Sequence, residues 1–145
     1  MATKTSPKKV PLREDEVVYI VSGFLANDGY RIRHEVPNMG QSADLVATKG
    51  RWVTFIEAKT KDWRRALDQC RAHEQVADYV CLALAGLTAS EELMRHASKV
   101  GYGVLFVSTA DSVCRWIAMP QHNKFVWGPQ RNKLSVALRR INHAH

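Results

Sequence analysis

The chain has 145 residues, a length typical of one domain, and 46% of them are apolar. Basic residues outnumber acidic ones by 21 to 14, giving a formal charge of +7. This composition excludes the disordered and fibrous classes of protein, and no apolar stretch approaches the ~20 residues that a membrane-spanning helix needs. The three widely spaced cysteines fit neither a disulfide framework nor a CxxC metal site, so we expect a cytoplasmic protein without a membrane partner.

The excess positive charge lies at the two ends of the chain. Residues 1–13 hold four basic and no acidic residues, residues 122–145 hold five basic and no acidic residues, and the segment between them has a net charge of −2. A nearly neutral body with basic ends favours a polyanionic partner. We expect a flexible basic arm over 1–12, the main domain over 13–120, and a basic C-terminal extension with a short amphipathic helix over 121–145.

Hydrophobic periodicity and turn residues predict the order of the elements. In chain order these are a helix over 13–27, strands over 30–36, 43–48 and 52–59, a helix over 62–76, a strand over 79–85, a helix that begins at a capping box formed by Thr88 and Glu91, strands over 104–107 and 113–118, and a helix over 134–141. The second and third strands form a predicted hairpin. A hairpin followed by alternating strands and helices predicts an α/β fold, with a central mixed sheet and helices on both faces.

Three charged residues on this hairpin, Asp44, Glu57 and Lys59, favour a catalytic site. Residues two apart on a strand share a face, so Glu57 and Lys59 point the same way. If the turn is Lys49-Gly50, Asp44 lies diagonal to Glu57, whereas a longer loop places it directly opposite. In both registers the two Cβ atoms are ~4.5–8 Å apart, while a slip of one residue would send Asp44 to the other face.

Two neighbouring carboxylates repel each other unless one is protonated or a cation lies between them. Mg²⁺ fits such a site, because it takes one or two carboxylates together with waters and phosphate oxygens. Lys59 would be a compact cation beside the metal, able to hold a phosphate oxygen or an attacking water. The pattern predicts metal-assisted phosphodiester hydrolysis. The alternative is a solvated cluster of ion pairs at the end of a sheet.

The hairpin resembles the D…ExK motif of the PD-(D/E)XK nucleases, which include restriction endonucleases, Holliday junction resolvases and repair nucleases. The matching segments are SADLVA over 42–47, a glycine turn, and FIEAKT over 55–60. The resemblance continues through ALDQ over 66–69 and ADYV over 77–80 to about Pro120, and it implies a restriction endonuclease-like fold. Ala43 stands where the family name has a proline.

The resemblance implies a Mg²⁺-dependent DNA endonuclease in which Mn²⁺ substitutes for Mg²⁺. Asp44, Glu57 and the carbonyl of Ala58 would be the metal ligands, Lys59 the catalytic lysine, and Gln69 a polar residue at the rim of the site. Many members also supply a glutamate from the first helix. Here Glu14 and Glu16 are the candidates, and Glu16 is preferred because it shares a helix face with Ile20.

The remaining expectations concern partners. Residues at the start of the second helix are predicted to contact nucleic acid, namely Lys61, Trp63, Arg64 and Arg65. No separate sequence-reading domain is evident, so structure-specific or weakly specific cleavage in repair, recombination or phage-related DNA processing is expected, and a homodimer would let two sites cut two strands. The alternative is a non-catalytic nucleic-acid-binding or interaction module with the same fold. The six histidines show no ligand spacing and are expected at the surface.

Overall fold

A computed structural model of the protein describes residues 12–38, 41–85, 90–123, 126 and 128–143. Its elements are α1 (Glu14–Asn27), β1 (Arg31–Asn38), β2 (Gln41–Lys49), β3 (Trp52–Lys59), α2 (Trp63–His73), β4 (Tyr79–Ala85), α3 (Glu91–Val100), β5 (Gly103–Val107), β6 (Cys114–Ala118) and α4 (Gly128–His143). Their order is the predicted one. Apart from Leu12, the predicted basic arm lies outside the described residues. None of the described helices combines the length and the apolarity that crossing a membrane requires.

The six strands form one sheet in the order β1-β2-β3-β4-β5-β6. The pairs β1-β2, β2-β3 and β5-β6 are antiparallel, whereas β3-β4 and β4-β5 are parallel. Parallel neighbours need a crossover connection, which α2 and α3 supply. The predicted mixed sheet is therefore confirmed.

Helices cover both faces of the sheet, as predicted. On one face, α1 buries Val17, Val21 and Leu25 against alternate residues of the central strands, among them Leu45 and Ile56. On the other face, the buried side chains of α2, α3 and α4 meet the strand residues that point the opposite way. The central strands are thus buried on both sides, which is why β4 is an almost unbroken apolar run.

The C-terminal helix packs onto this second face. It is longer than the predicted 134–141 and runs from Gly128 to His143. Leu134 and Leu138 are buried in the same cluster as the α2 and α3 side chains. Arg131 adds polar contacts, donating from Nη1 to the carbonyl of Val76 at 2.8 Å and from Nη2 to the carbonyl of Arg51 at 3.0 Å.

Two predicted boundaries are wrong for local reasons. The first turn of α3 is capped by Ser90, whose hydroxyl accepts a hydrogen bond from the Leu93 amide at 3.1 Å, so Thr88 is not the cap and lies outside the described residues. The second helix ends at His73 instead of continuing to residue 76. After it, the amides of Val76 and Ala77 both bond the carbonyl of His73, which turns the chain toward β4.

The β2-β3 hairpin turns at Gly50-Arg51, one residue later than the predicted Lys49-Gly50. Lys49 pairs with Trp52, and Gly50 has a φ of +60°, which glycine adopts without strain. The ladder ends at the pair of Leu45 and Ile56. One step further, Asp44 comes opposite Glu57, so the register is the second of the two predicted alternatives, reached through a shifted two-residue turn and not a longer loop.

Candidate active site

The carboxyl groups of Asp44 and Glu57 meet at the end of the β2-β3 ladder. Asp44 Oδ2 accepts a hydrogen bond from the Ala58 amide at 2.9 Å, which fixes the aspartate against β3. Burial first, and then the negative charge of Glu57 and a hydrogen bond to its carboxyl group, raise the pKa of Asp44 to about 6. Two carboxylates this close repel each other when both are charged. The pair therefore favours a proton on one of them or a cation between them.

An interruption in the neighbouring ladder lies at the same level as Asp44. His34 pairs with Leu45 and Val36 pairs with Ala43, but no pair joins Glu35 and Asp44. Glu35 has a φ of +51°, which is uncommon for a residue with a side chain. The irregular backbone at this point accompanies the turn of Asp44 toward the Ala58 amide of β3.

A buried histidine of α2 contacts Glu57. Its side chain is 2% exposed, and its Oε1 lies 2.6 Å from Nε2 of His73, whose side chain is fully buried. An ionised carboxylate only accepts hydrogen bonds, so the bond requires the proton on Nε2. The expected surface position of His73 is therefore wrong. The spacing of Ala66, Cys70 and His73 on the buried stripe of α2 is the pattern that could have located it.

Lys59 reaches the first turn of α1. Its Nζ lies 3.9 Å from Oε1 of Glu14, and the lysine side chain is only 15% exposed. Glu16, the preferred candidate, is engaged elsewhere: its Oε1 accepts a hydrogen bond from the Arg13 amide at 3.0 Å in a capping box. The structure thus places Glu14, and not Glu16, beside the lysine.

Gln69 has a buried amide oxygen for which no hydrogen-bond partner is found among the described residues. It lies four residues before His73 on α2, and side chains at this spacing lie one above the other on a helix. Its expected role at the rim of the site stays a prediction. The free acceptor is suited to a donor such as a water or an ammonium group.

A cleft of about 420 Å³ gives solvent access to Asp44. Four carboxylates line it, from Glu14 and Asp15 of α1, Glu35 of β1 and Asp44 of β2. Within the described part of the chain, no group of three or more metal-ligating side chains is arranged to hold an ion. Asp44 and Glu57 remain the two carboxylates that the resemblance assigns to a metal.

The predicted nucleic-acid contacts at the start of α2 are only partly available. Trp63 is half-buried against the core, and the Arg64 guanidinium lies 4.5 Å from the centre of its ring. Arg64 also forms a 2.8 Å ion pair with Glu92 of α3. Lys61 and Arg65 are exposed. This segment therefore offers two uncommitted cations and a tryptophan face that an arginine already covers.

Several solved protein structures resemble this chain. A protein of unknown function from Silicibacter pomeroyi superposes with a TM-score of 0.63 at 18% identity, over 91% of each chain. An XisH family protein from Nostoc punctiforme PCC 73102 has a TM-score of 0.54 at 16% identity, over 71% of this chain and 99% of that one. The fold is restriction endonuclease-like. A fdxN element excision controlling factor protein from Anabaena variabilis has a TM-score of 0.53 at 17% identity, over 71% and 98% of the two chains. No family model and no curated protein matches the chain.

Proposed function

We propose that the protein is a metal-dependent DNA endonuclease that hydrolyses phosphodiester bonds. The observation that carries the proposal is the meeting of the Asp44 and Glu57 carboxyl groups beside Lys59 at one end of the hairpin. A solvated cluster of ion pairs would not require a 2% exposed glutamate. Burying a charged group away from water is costly unless it is paired or coordinates a cation.

The donors at the site fit Mg²⁺. Two carboxylates supply hard oxygen ligands, and the carbonyl of Ala58 is the third ligand that the resemblance implies. Mg²⁺ characteristically keeps several waters and uses one or two carboxylates with substrate phosphates, so two carboxylates are enough for it. When bound, the ion lowers the pKa of a coordinated water and neutralises charge that develops on the phosphate oxygens.

The surrounding side chains would orient this chemistry. Lys59, held near Glu14, would position the attacking water or stabilise the negative charge on the scissile phosphate. His73 would keep Glu57 in place through its 2.6 Å hydrogen bond. The buried oxygen of Gln69 would accept a hydrogen bond from a water at the rim. In this arrangement Glu14 takes the part for which the sequence favoured Glu16.

We further propose structure-specific or weakly specific cleavage, in repair, recombination or phage-related processing. A homodimer would bring two such sites to the two strands of a duplex. The Anabaena variabilis neighbour is named as an fdxN element excision controlling factor protein. At 17% identity its structure supports the same fold, and the DNA substrate of this chain is proposed from its own residues.

The test is a cleavage panel with plasmid, flap and four-way-junction DNA, in Mg²⁺, in Mn²⁺ and in EDTA. Wild type is expected to cut at least one substrate only with the metal, and Lys59→Ala is expected to bind DNA but not to cut it. Lys99→Ala, an exposed lysine on α3, is the matched control and is expected to retain activity. Intact binding without cleavage of any substrate by wild type would favour the non-catalytic module.

A further inference from the structure

A second groove, of about 540 Å³, lies at the other end of the hairpin from Glu57 and Lys59. It is formed by the beginning of β1, the tip of the β2-β3 hairpin and one side of α4. Six basic residues line it, and we call it the cationic groove: Arg31, Arg33, Lys49, Arg51, Arg131 and Arg139. Among the described residues that line it, none is acidic.

Two acids form ion pairs with cations of the groove. Asp28 lies 3.8 Å from Nζ of Lys49, and Asp78 lies 3.0 Å from Nη2 of Arg131. Asp78 Oδ2 also accepts a hydrogen bond from the Val53 amide at 2.8 Å. These two carboxylates therefore have little capacity left to neutralise the remaining cations.

Besides Lys49, which faces Asp28, three cations of the groove are exposed, and they come from three different parts of the fold. They are Arg31 of β1, Arg51 of the hairpin turn and Arg139 of α4. Within the described ranges, none of the three forms an ion pair with a carboxylate. The guanidinium of Arg51 lies 4.5 Å from the centre of the Trp52 ring, which limits its freedom. The groove thus presents several positive charges that no described carboxylate pairs with.

Two further arginines are fixed by the fold. Arg33 is 7% exposed and donates from Nη1 to the Thr48 hydroxyl at 3.1 Å. Burial, followed by the positive charge of Arg31, lowers the pKa of Arg33. Arg131 donates to two backbone carbonyls. Holding these like charges together opposes folding, and an anion in the groove would relieve that repulsion.

We propose that the cationic groove binds the phosphodiester backbone of DNA, separately from the carboxylate site. Guanidinium groups suit phosphates because their planar donors contact two oxygens at once. Cations spread over β1, a turn and α4 match a run of phosphates better than one isolated phosphate. The acidic cleft around Asp44 repels such a run, so the grip on DNA has to come from elsewhere on the molecule.

The choice of DNA as the polyanion and the position of the groove relative to the cut rest on the proposed function, whereas the binding of a run of phosphates does not. From Val53, which lines the groove, to Lys59 the β3 backbone extends about 20 Å at ~3.3 Å per residue. That length corresponds to about six base pairs of duplex at ~3.4 Å per pair. A duplex held in the groove would therefore be contacted about half a helical turn from the scissile phosphate.

The test is DNA binding by the full chain in EDTA, where no metal-dependent cutting occurs. A fluorescent 20-base-pair duplex is titrated at several salt concentrations with the variant Arg31→Gln/Arg51→Gln/Arg139→Gln. The slope of log K against log salt is negative, and each lost phosphate contact reduces its magnitude by about 0.9. We expect the magnitude of the slope to fall by about 2–3 and the affinity at low salt to drop at least about tenfold.

The matched control removes the same three charges from another part of the surface. Arg95→Gln/Lys99→Gln/Arg115→Gln changes exposed residues of α3 and β6. It is expected to keep the wild-type slope to within about one contact. Equal losses for the two triple variants would show that net charge and not the groove governs binding, and would overturn the proposal. Circular dichroism establishes that both variants are folded.

A polyglutamate peptide of matched charge separates DNA from an acidic protein partner. Polyglutamate that binds through the three arginines while the duplex does not would overturn the proposal in favour of such a partner. The two proposals also fail differently. If the groove variant loses DNA binding and wild type never cuts DNA, the cationic groove is supported and the nuclease is contradicted. If wild type cuts DNA and the groove variant binds DNA as wild type does, the nuclease is supported and the cationic groove is contradicted.

Discussion

The Asp44 carboxyl is held in a setting that disfavours its charge. Its pKa rises from 3.8 to about 6, mainly through burial and secondarily through Glu57. Because the folded pKa lies above the unfolded one, the stability that the protonated form contributes is fully present below about pH 4 and is lost as the pH rises through 6. Ionised Asp44 is therefore a cost to the metal-free fold at neutral pH.

Replacing Asp44 with asparagine should remove that cost. Asparagine keeps an oxygen for the Ala58 amide and carries no charge. Relative to wild type, Asp44→Asn should gain about 1 kcal/mol of unfolding free energy between pH 5 and pH 8, after allowance for solvent screening of this half-buried group. Urea unfolding in EDTA at the two pH values measures the difference. An advantage of Asp44→Asn over wild type that is smaller at pH 8 than at pH 5 would contradict the raised pKa of Asp44.

The hydrogen bond between His73 and Glu57 should be among the most sensitive contacts in the chain. His73→Leu leaves a fully buried carboxylate without its partner and should cost about 3–5 kcal/mol. His96→Leu, on the exposed side of α3, is the control and should stay within about 0.5 kcal/mol. Adding Glu57→Leu to His73→Leu should recover part of the loss, because the unpaired charge is then gone. Additive losses in the double variant would argue against direct coupling.

At the scale of elements, the close approach of β5 to the segment after β6 depends on a missing side chain. A Cβ on Gly103 would meet Pro120 Cδ at 2.8 Å and Cys81 Sγ at 2.9 Å. Gly103→Ala should therefore destabilise the protein by about 1–3 kcal/mol. Gly23→Ala, in α1 with nothing within 4 Å of the new Cβ, should stabilise it by about 0.5–1 kcal/mol. Thermal unfolding measures both changes in stability. A stabilised Gly103→Ala variant together with a destabilised Gly23→Ala variant would contradict the packing.

The sequence could predict most of the element order, because each element has a hydrophobic period and an identifiable end. It could not choose the hairpin register, since Lys49-Gly50 and Gly50-Arg51 are both acceptable turns and only the packed sheet decides between them. Periodicity indicated a carboxylate pair on one face of the hairpin. The contact of α2 with Glu57, in contrast, depends on tertiary packing. His73 was missed for that reason.

The choice between Glu14 and Glu16 shows the same limit within one helix turn. Both are first-turn acids that suit the positive end of the α1 dipole. Glu16 turns back to the Arg13 amide, while Glu14 approaches Lys59, a residue 45 positions later in the chain. The contact of Glu16 with the Arg13 amide follows from local sequence. The contact of Glu14 with Lys59 forms only when the sheet has folded.

On the scale of the whole molecule, the charge is divided between two sites on one hairpin. The acidic cleft with Glu14, Glu35 and Asp44 lies at one end, and the cationic groove lies at the other. The net charge of +7 does not describe either site. In the proposed function, one end of the hairpin would hold a polyanion while the other end would accept a divalent cation.

Metal binding should therefore stabilise the fold through Asp44. Mg²⁺ at 100 times its dissociation constant should raise the unfolding free energy of wild type by about 2.7 kcal/mol. Asp44→Asn should show little of this increase, because a ligand and its charge are lost, and EDTA should abolish the increase in wild type. The measurement is urea unfolding at pH 8 with and without Mg²⁺. An equal Mg²⁺ effect on both proteins would place the metal elsewhere.

The most direct test of the account is the single-turnover cleavage rate of the substrate that the panel identifies, with protein in excess of DNA and in excess of its dissociation constant. Under these conditions the rate reports chemistry and not binding. The account predicts Mg²⁺-dependent cleavage by wild type and a rate at least about 10²-fold lower for Lys59→Ala, the usual scale for removing one group that stabilises the transition state. Cleavage by Lys59→Ala at the wild-type rate, or cleavage by wild type that persists in EDTA, would contradict it.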